Sequence, residues 1–276
     1  MKWADPSRPP LGMGGGVKCN MIPLSEDIKL ALSSPRELIV LPGETNNWDE
    51  VTTIGRGERR AISLDIRVAA GGRGEMIRIF EVPQGARLTI YHQVTVEAGG
   101  HWRNVICVRG RGEVNIRRAL NLSGPKAEAA LVCLAVMDQT GRISVADEMF
   151  SLAPETKALL RTKIVLNDGA RSEARGRIIV GETSTKSESF EKLDHMVFGD
   201  QATVAAIPEL EVMTDDVKCG HGATTSRAGE KELFYLTSRG LPLAAAQKLV
   251  AKGFIAEALA DLPERAQQKA IEVMFG

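Results

Sequence analysis

The segment from Pro208 to Ser226 carries a cysteine and a histidine two positions apart, Cys219 and His221. In an extended strand, residues at i and i+2 leave the same face, roughly 7 Å apart along the chain. A thiolate and an imidazole so placed can both reach one metal or one iron–sulfur cluster. Two donors fall short of the four that zinc and such clusters generally take. A two-fold pairing of chains would double the count to two thiolates and two imidazoles around an axis. Gly220 and Gly222 flank the histidine without side chains, leaving room for a cluster or for close chain approach. The plainer alternative stays open, in which Cys219 is a buried small hydrophobe and His221 a structural histidine at a strand end. Asp215 and Asp216, just before the pair, read as turn residues.

The remaining candidates are weaker. His195 has no cysteine near it in sequence, and His92 and His101 lie in strand-like runs with no visible partner, so all three read as structural. Cys107 and Cys133 sit in apolar runs and read as core, while Cys19 stands apart in the N-terminal region. No CxxC spacing occurs, which fits neither a disulfide framework nor a zinc knuckle closed within one chain. The arginines from Arg56 to Arg60 surround Glu58 with no aromatic residue among them, and read as a solvated loop.

Around these residues lies a chain of 276 residues, 43% hydrophobic and 25% charged, enough to fold around a sizeable core. Its 35 basic and 35 acidic residues cancel, which argues against nucleic acid as the partner. Aromatic residues make up only 4%, too few for the stacking platforms of a sugar-binding cleft. No run of 18 apolar residues is present, and Met1 to Leu11 holds charges and prolines where a secretory signal needs an apolar stretch. The expectation is a cytoplasmic protein that neither spans a membrane nor is exported.

From Arg56 to about Val217, short alternating β-branched runs recur, among them 61–68, 76–82, 86–96, 105–108 and 113–117, with glycine-rich turns between. The stretch from Gln84 to Ile90 is echoed from Asp168 to Ala174 and, more loosely, from Gly199 to Val204. Repeating strands of even spacing predict a stacked β architecture, and barrels, sandwiches and parallel β-helices all satisfy the pattern. Near Gly229 the composition changes. Helices are predicted over 230–238, 243–262 and 264–274, the second with Leu243, Val250, Phe254 and Ala258 at helical spacing. The resulting division is an N-terminal arm over 1–50 with little core of its own, a β core over 51–226 and a helical unit over 227–276.

The runs 208–212, 215–224 and 233–240, with 156–161 and 169–180 upstream, closely resemble the C-terminal signature of the SufB/SufD family of iron–sulfur cluster assembly scaffolds. The resemblance implies a mainly β fold, a right-handed parallel β-helix, with a C-terminal helical unit that docks an ABC-type ATPase. It also implies pairing of two scaffold subunits, as a homodimer or with a paralogous partner. His221 stands where the family has its cluster-site histidine, and Cys219 matches the cysteine of SufD-like members. Leu193 stands where SufB-like members carry a thiol, and Gly220 and Gly222 where they carry acidic residues, whereas 224–227 looks SufB-like. The cofactor implied is a transient iron–sulfur cluster on Cys219 and His221 at a dimer interface. Phe234, Tyr235, Arg239, Leu249, Phe254 and Ile255 are the implied ATPase-binding residues. ATP hydrolysis is expected in the partner, since no GxxxxGK[ST] loop occurs and no nucleotide is expected on this chain. The competing readings are a SufD-like accessory subunit needing a separate scaffold and, from another class, a β-helix enzyme acting on polysaccharide.

Overall fold

The computed structural model describes residues 36–260 and 262–276. Among the described residues, fourteen strands lead into three helices. The strands are β1 (Arg36–Val40), β2 (Thr45–Thr53), β3 (Arg59–Val68), β4 (Arg73–Val82), β5 (Arg87–Val96), β6 (His101–Gly110) and β7 (Glu113–Leu122). They continue as β8 (Glu128–Met137), β9 (Arg142–Ser151), β10 (Lys157–Leu166), β11 (Arg171–Val180), β12 (Ser187–Val197), β13 (Thr203–Val212) and β14 (Val217–Arg227). The helices are α1 (Glu230–Ser238), α2 (Leu243–Leu259) and α3 (Glu264–Phe275).

Odd-numbered strands form one seven-stranded sheet in the order β1-β3-β5-β7-β9-β11-β13, and even-numbered strands form the other. Each strand pairs in parallel with the strand two later in sequence, as β5 does with β7 and β10 with β12. That alternation makes the chain a parallel β-helix, each turn giving one strand to each sheet, and it selects among the three architectures that periodicity left open.

The echo in the sequence marks one corner of this solenoid. Gly85, Gly169 and Gly199 lie at the turns entering β5, β11 and β13, with φ of 81°, 83° and 83°, where a side chain would be strained. The alanine that follows turns inward in each, Ala86 and Ala170 fully buried and Ala202 packed against the same core.

Inward side chains of the two sheets meet in two apolar layers, one with Leu88, Ile90, Ile106, Ile116 and Ile164 and the other with Val94, Leu120, Leu131 and Ile178, on either side of a buried polar row that holds His92, Arg118 and Asp147. The outer face of the even sheet is apolar as well, because α2 and α3 lie on it: Ile77, Val105, Leu134 and Val165 pack against Ile255, Leu259, Ala270 and Met274. Burial on both faces explains the near-continuous apolar run of β8, where alternation gives way. Cys107 belongs to this helix-covered layer and Cys133 to the interior. Burial pushes both thiols up, Cys133 to about 12, so both stay protonated and inert.

Two expectations need correction. Residues 36–50 are not part of an arm, because β1 pairs with β3 and β2 with β4 to form the first turn of the solenoid. Residues 1–35, with Cys19, lie outside the described residues. In α2 the packed face is made by Ala246, Ala251, Ile255, Ala258 and Leu259, while Leu243 points to solvent. Small alanines let the helix sit close to the sheet, which leaves the larger Leu243 and Leu249 on the far side.

Candidate functional site

Cys219 and His221 lie on β14, the last strand of the even sheet and one of its two edges. β14 pairs on one side only, with β12, in a register that sets Cys219 beside Ser189 and His221 beside Glu191. Ser189 and Glu191 are buried inward-facing residues, so Cys219 and His221 share the inward parity of the same sheet. No further turn follows. His221 is therefore exposed and Cys219 half-buried, packed with Val217 and Leu210 against the interior. The terminal turn thus gives inward-facing side chains access to solvent, which the inner turns deny them.

Partial burial pushes the Cys219 thiol up from its ordinary value, while hydrogen bonds from the backbone and hydroxyl of Ser189 pull the other way. The two glycines of β14 have the opposite parity and face outward. A Cβ on Gly222 would meet nothing within 4 Å, and one on Gly220 would touch only Phe190, at 3.4 Å. Leu159, Phe190, Gly220 and Gly222 line a shallow, largely apolar depression on that outer face, with Phe190 46% exposed. Leu193, inward and 2% exposed, fills the interior beside Ala223.

Behind His221 the interior turns polar. Glu191 is buried, and its carboxyl tip reaches across to the opposite sheet, against Gly176, where a Cβ would occupy its space. Burial, with Asp147 adding, pushes that carboxyl up to about 8, so it is largely protonated at neutral pH. Deeper still, Arg118 and Asp147 form a buried bidentate pair at 2.8 and 2.6 Å, with Asn104 Oδ1 accepting from Arg118 at 3.2 Å. Neither Ser189 nor Glu191 is singled out by spacing in the sequence. The signal was parity: Ser187, Ser189 and Glu191 occupy inward positions that neighbouring strands fill with apolar residues.

The other sequence candidates separate cleanly. His195 is buried and meets Ser172 at 3.1 Å through Nε2, while burial pushes it down to about 4. His92 is wholly buried and driven down to about 3, and His101 pairs with Glu128 at 3.2 Å. These are structural roles. Asp215 and Asp216 form the bend before β14. Among the described residues, no three His, Cys, Asp or Glu side chains converge as a metal site. Within the described part of one chain, the site offers the two donors Cys219 and His221.

Of the helical residues, Phe234 is 74% exposed and Tyr235 57%, with Arg239 stacked 5.4 Å over the Tyr235 ring. Leu249 is exposed too. Phe254 is half-buried and carries the ammonium of Lys163 at 4.3 Å from its ring centre. Ile255 is fully buried in the layer between helix and sheet. That corrects its expected role, because a side chain without exposed surface has none to offer a partner.

A family profile described as the SUF system FeS cluster assembly, SufBD core domain, matches residues 35–254, a span that includes the whole β-helix, α1 and most of α2. The chain belongs to the SufBD family. It is 30% identical over 145 residues to an iron-sulfur cluster assembly SufBD family protein of Mycobacterium tuberculosis, covering 52% of this chain and 17% of that one. It is 36% identical over 95 residues to the iron-sulfur cluster assembly protein SufD of Escherichia coli, covering 34% and 22% of the two chains. It is 27% identical over 142 residues to SufB of Bacillus subtilis, covering 51% and 30%. The matched segments span less than a third of each of these relatives. Among the described residues, no helix is long and apolar enough to cross a membrane.

Proposed function

We propose that this SufBD-family chain is a scaffold on which iron–sulfur clusters are assembled, with the cluster as its cargo and Cys219 and His221 as its donors. One observation carries the reading: a thiol and an imidazole share the inward parity of an edge strand paired on one side only, on a terminal turn where that parity meets solvent. A sheet edge eleven residues long is a template for pairing with another chain. Pairing there, with a second copy or a paralogous scaffold, would bring two such donor pairs together. The SufD-like cysteine and the leucine at 193 favour a subunit that assembles clusters as half of a pair.

An ABC-type ATPase would dock on the exposed rings of Phe234 and Tyr235, the Arg239 guanidinium and Leu249, a patch that suits an apolar anchor with a polar rim. Chemistry on ATP would belong to that partner, and the assembly would work in the cytoplasm. The polysaccharide-enzyme reading loses ground because the interior polar groups Asn104, Arg118 and Asp147 are buried and the carboxyl of Glu191 faces the inside of the solenoid.

Anaerobic reconstitution with iron and sulfide tests the reading. Cys219→Ser should lose most of the bound iron and His221→Ala should shed it faster, both with the melting temperature nearly unchanged. Replacing Cys107 or Cys133 should leave iron binding intact. Full iron content in Cys219→Ser would refute the assignment.

A further inference from the structure

The interior row that ends at Cys219 runs, in register, through Trp102, Ala129, Ala158 and Ser189. It is apolar until the turn directly beneath the cysteine. There the residue is a serine with no exposed surface, in a place where an unpaired hydroxyl would be costly. Ser189 Oγ lies 3.2 Å from Ser151 Oγ, which reaches in from the opposite sheet and is itself fully buried. On its other side, Ser189 is the in-register ladder neighbour of Cys219 and shares its inward parity, which puts the Ser189 hydroxyl beside the Cys219 side chain. If Ser151 donates to Ser189, the Ser189 proton is left for the sulfur. The result is a two-hydroxyl chain that begins inside the solenoid and ends on Cys219.

A neutral thiol is a weak acceptor, whereas a thiolate or metal-bound sulfur accepts a strong, charge-assisted bond. A buried donor aimed at this atom is therefore worth most when the sulfur carries negative charge. We propose that Ser189 is a positioning residue for Cys219, its hydroxyl holding the sulfur in place for a metal and withdrawing electron density from it, so that it sets how strongly the sulfur donates. The inference rests on the assembly reading of Cys219. It adds the control by which the interior of the scaffold governs the ligand on its rim, since hydrogen bonds to ligating sulfur tune metal–sulfur centres.

Cobalt(II), added anaerobically to the full chain, supplies the test, because sulfur ligation gives a sulfur-to-cobalt charge-transfer band in the near ultraviolet. The wild type should show the band and Cys219→Ala should lose it. Ser189→Ala should keep its intensity and move it to longer wavelength, since a sulfur without its donor gives up charge more readily. A purely structural hydroxyl would change the melting temperature and leave the band in place. A band at the wild-type position in Ser189→Ala overturns the inference while the assembly reading stands. Absence of the band in wild type, or its persistence in Cys219→Ala, overturns the assembly reading and the inference with it. Should Ser189→Ala fail to fold, Ser151→Ala serves in its place. It should move the band the same way by a smaller amount, and no movement there overturns the inference.

Discussion

Replacing Asp147 with asparagine probes how the solenoid tolerates charge in its interior. Arg118 is 1% exposed and Asp147 3%, and two hydrogen bonds of 2.8 and 2.6 Å join them. Burial opposes the guanidinium charge, and the neighbouring carboxylate outweighs that opposition, so the Arg118 pKa is raised. Asparagine keeps the shape but removes the charge, and it can turn an N–H₂ toward Arg118, which has only N–H groups to offer. Asn104 and the Val132 carbonyl, at 3.2 and 3.1 Å from Nη1, stay as dipoles and cannot neutralise a full charge. Breaking one side of a buried pair costs about 3–5 kcal/mol. For a chain of this size that lowers the melting temperature by roughly 6–20 °C. Urea unfolding followed by far-ultraviolet circular dichroism at pH 7 measures the loss. The double change Arg118→Met with Asp147→Leu should recover most of it, because no buried charge is left unpaired. A loss below about 1 kcal/mol in Asp147→Asn would refute the reasoning, since the guanidinium would then be compensated by dipoles alone.

Three further outcomes follow from neighbouring features. The Glu191 carboxyl is pushed up to about 8 from an ordinary 4.5, so the folded chain holds that proton more tightly than the unfolded one. Its stabilising contribution is full below pH 4.5 and is lost as pH rises toward 8; Glu191→Gln should flatten the fall in urea midpoint between pH 5 and pH 8. Lys163, 2% exposed, ties β10 to α2 through Glu257 at 2.6 Å and the Phe254 carbonyl at 3.1 Å, so Lys163→Met should speed hydrogen exchange in α2 while sparing β10. Gly222→Ala, with nothing within 4 Å of the new methyl, should leave stability unchanged or raise it by about 0.5 kcal/mol in thermal melts.

Local chemistry was legible where it repeats. Alternation in β3, β4 and β5, glycine at the corners, and the change of composition at 229 all come from short-range rules, and each matches an element of the fold. The choice of a β-helix over a barrel or sandwich was not readable from alternation, because it depends on which strands pair, and that is decided by contacts between residues nearly thirty positions apart. The first turn was missed for a related reason. β1 is short and β2 is largely polar and exposed, yet each gains a full ladder from the strand beside it. Ile255 was named among the partner-binding residues, and helical periodicity could not correct that, because it gives an apolar face without saying what that face meets. The even sheet took the alanine-rich side.

The location of Cys219 and His221 follows from what a solenoid can and cannot expose. In every inner turn, an inward side chain lies between two neighbours and across from the other sheet, so a full charge there calls for a partner, as Arg118 has in Asp147. At the last turn one neighbour is missing, and the same parity that means burial elsewhere now means access. The edge that frees those side chains also leaves β14 with an unpaired ladder. Access for a metal and attraction for a second chain therefore have one structural origin, and a partner that pairs along β14 would cover the donors as it docks. Gly220 and Gly222 keep the outward parity of the strand bare, so a pairing chain could approach β14 without meeting their side chains. On the proposed assembly reading, pairing and cluster binding would be coupled: blocking the edge should cost cluster retention even with Cys219 and His221 intact.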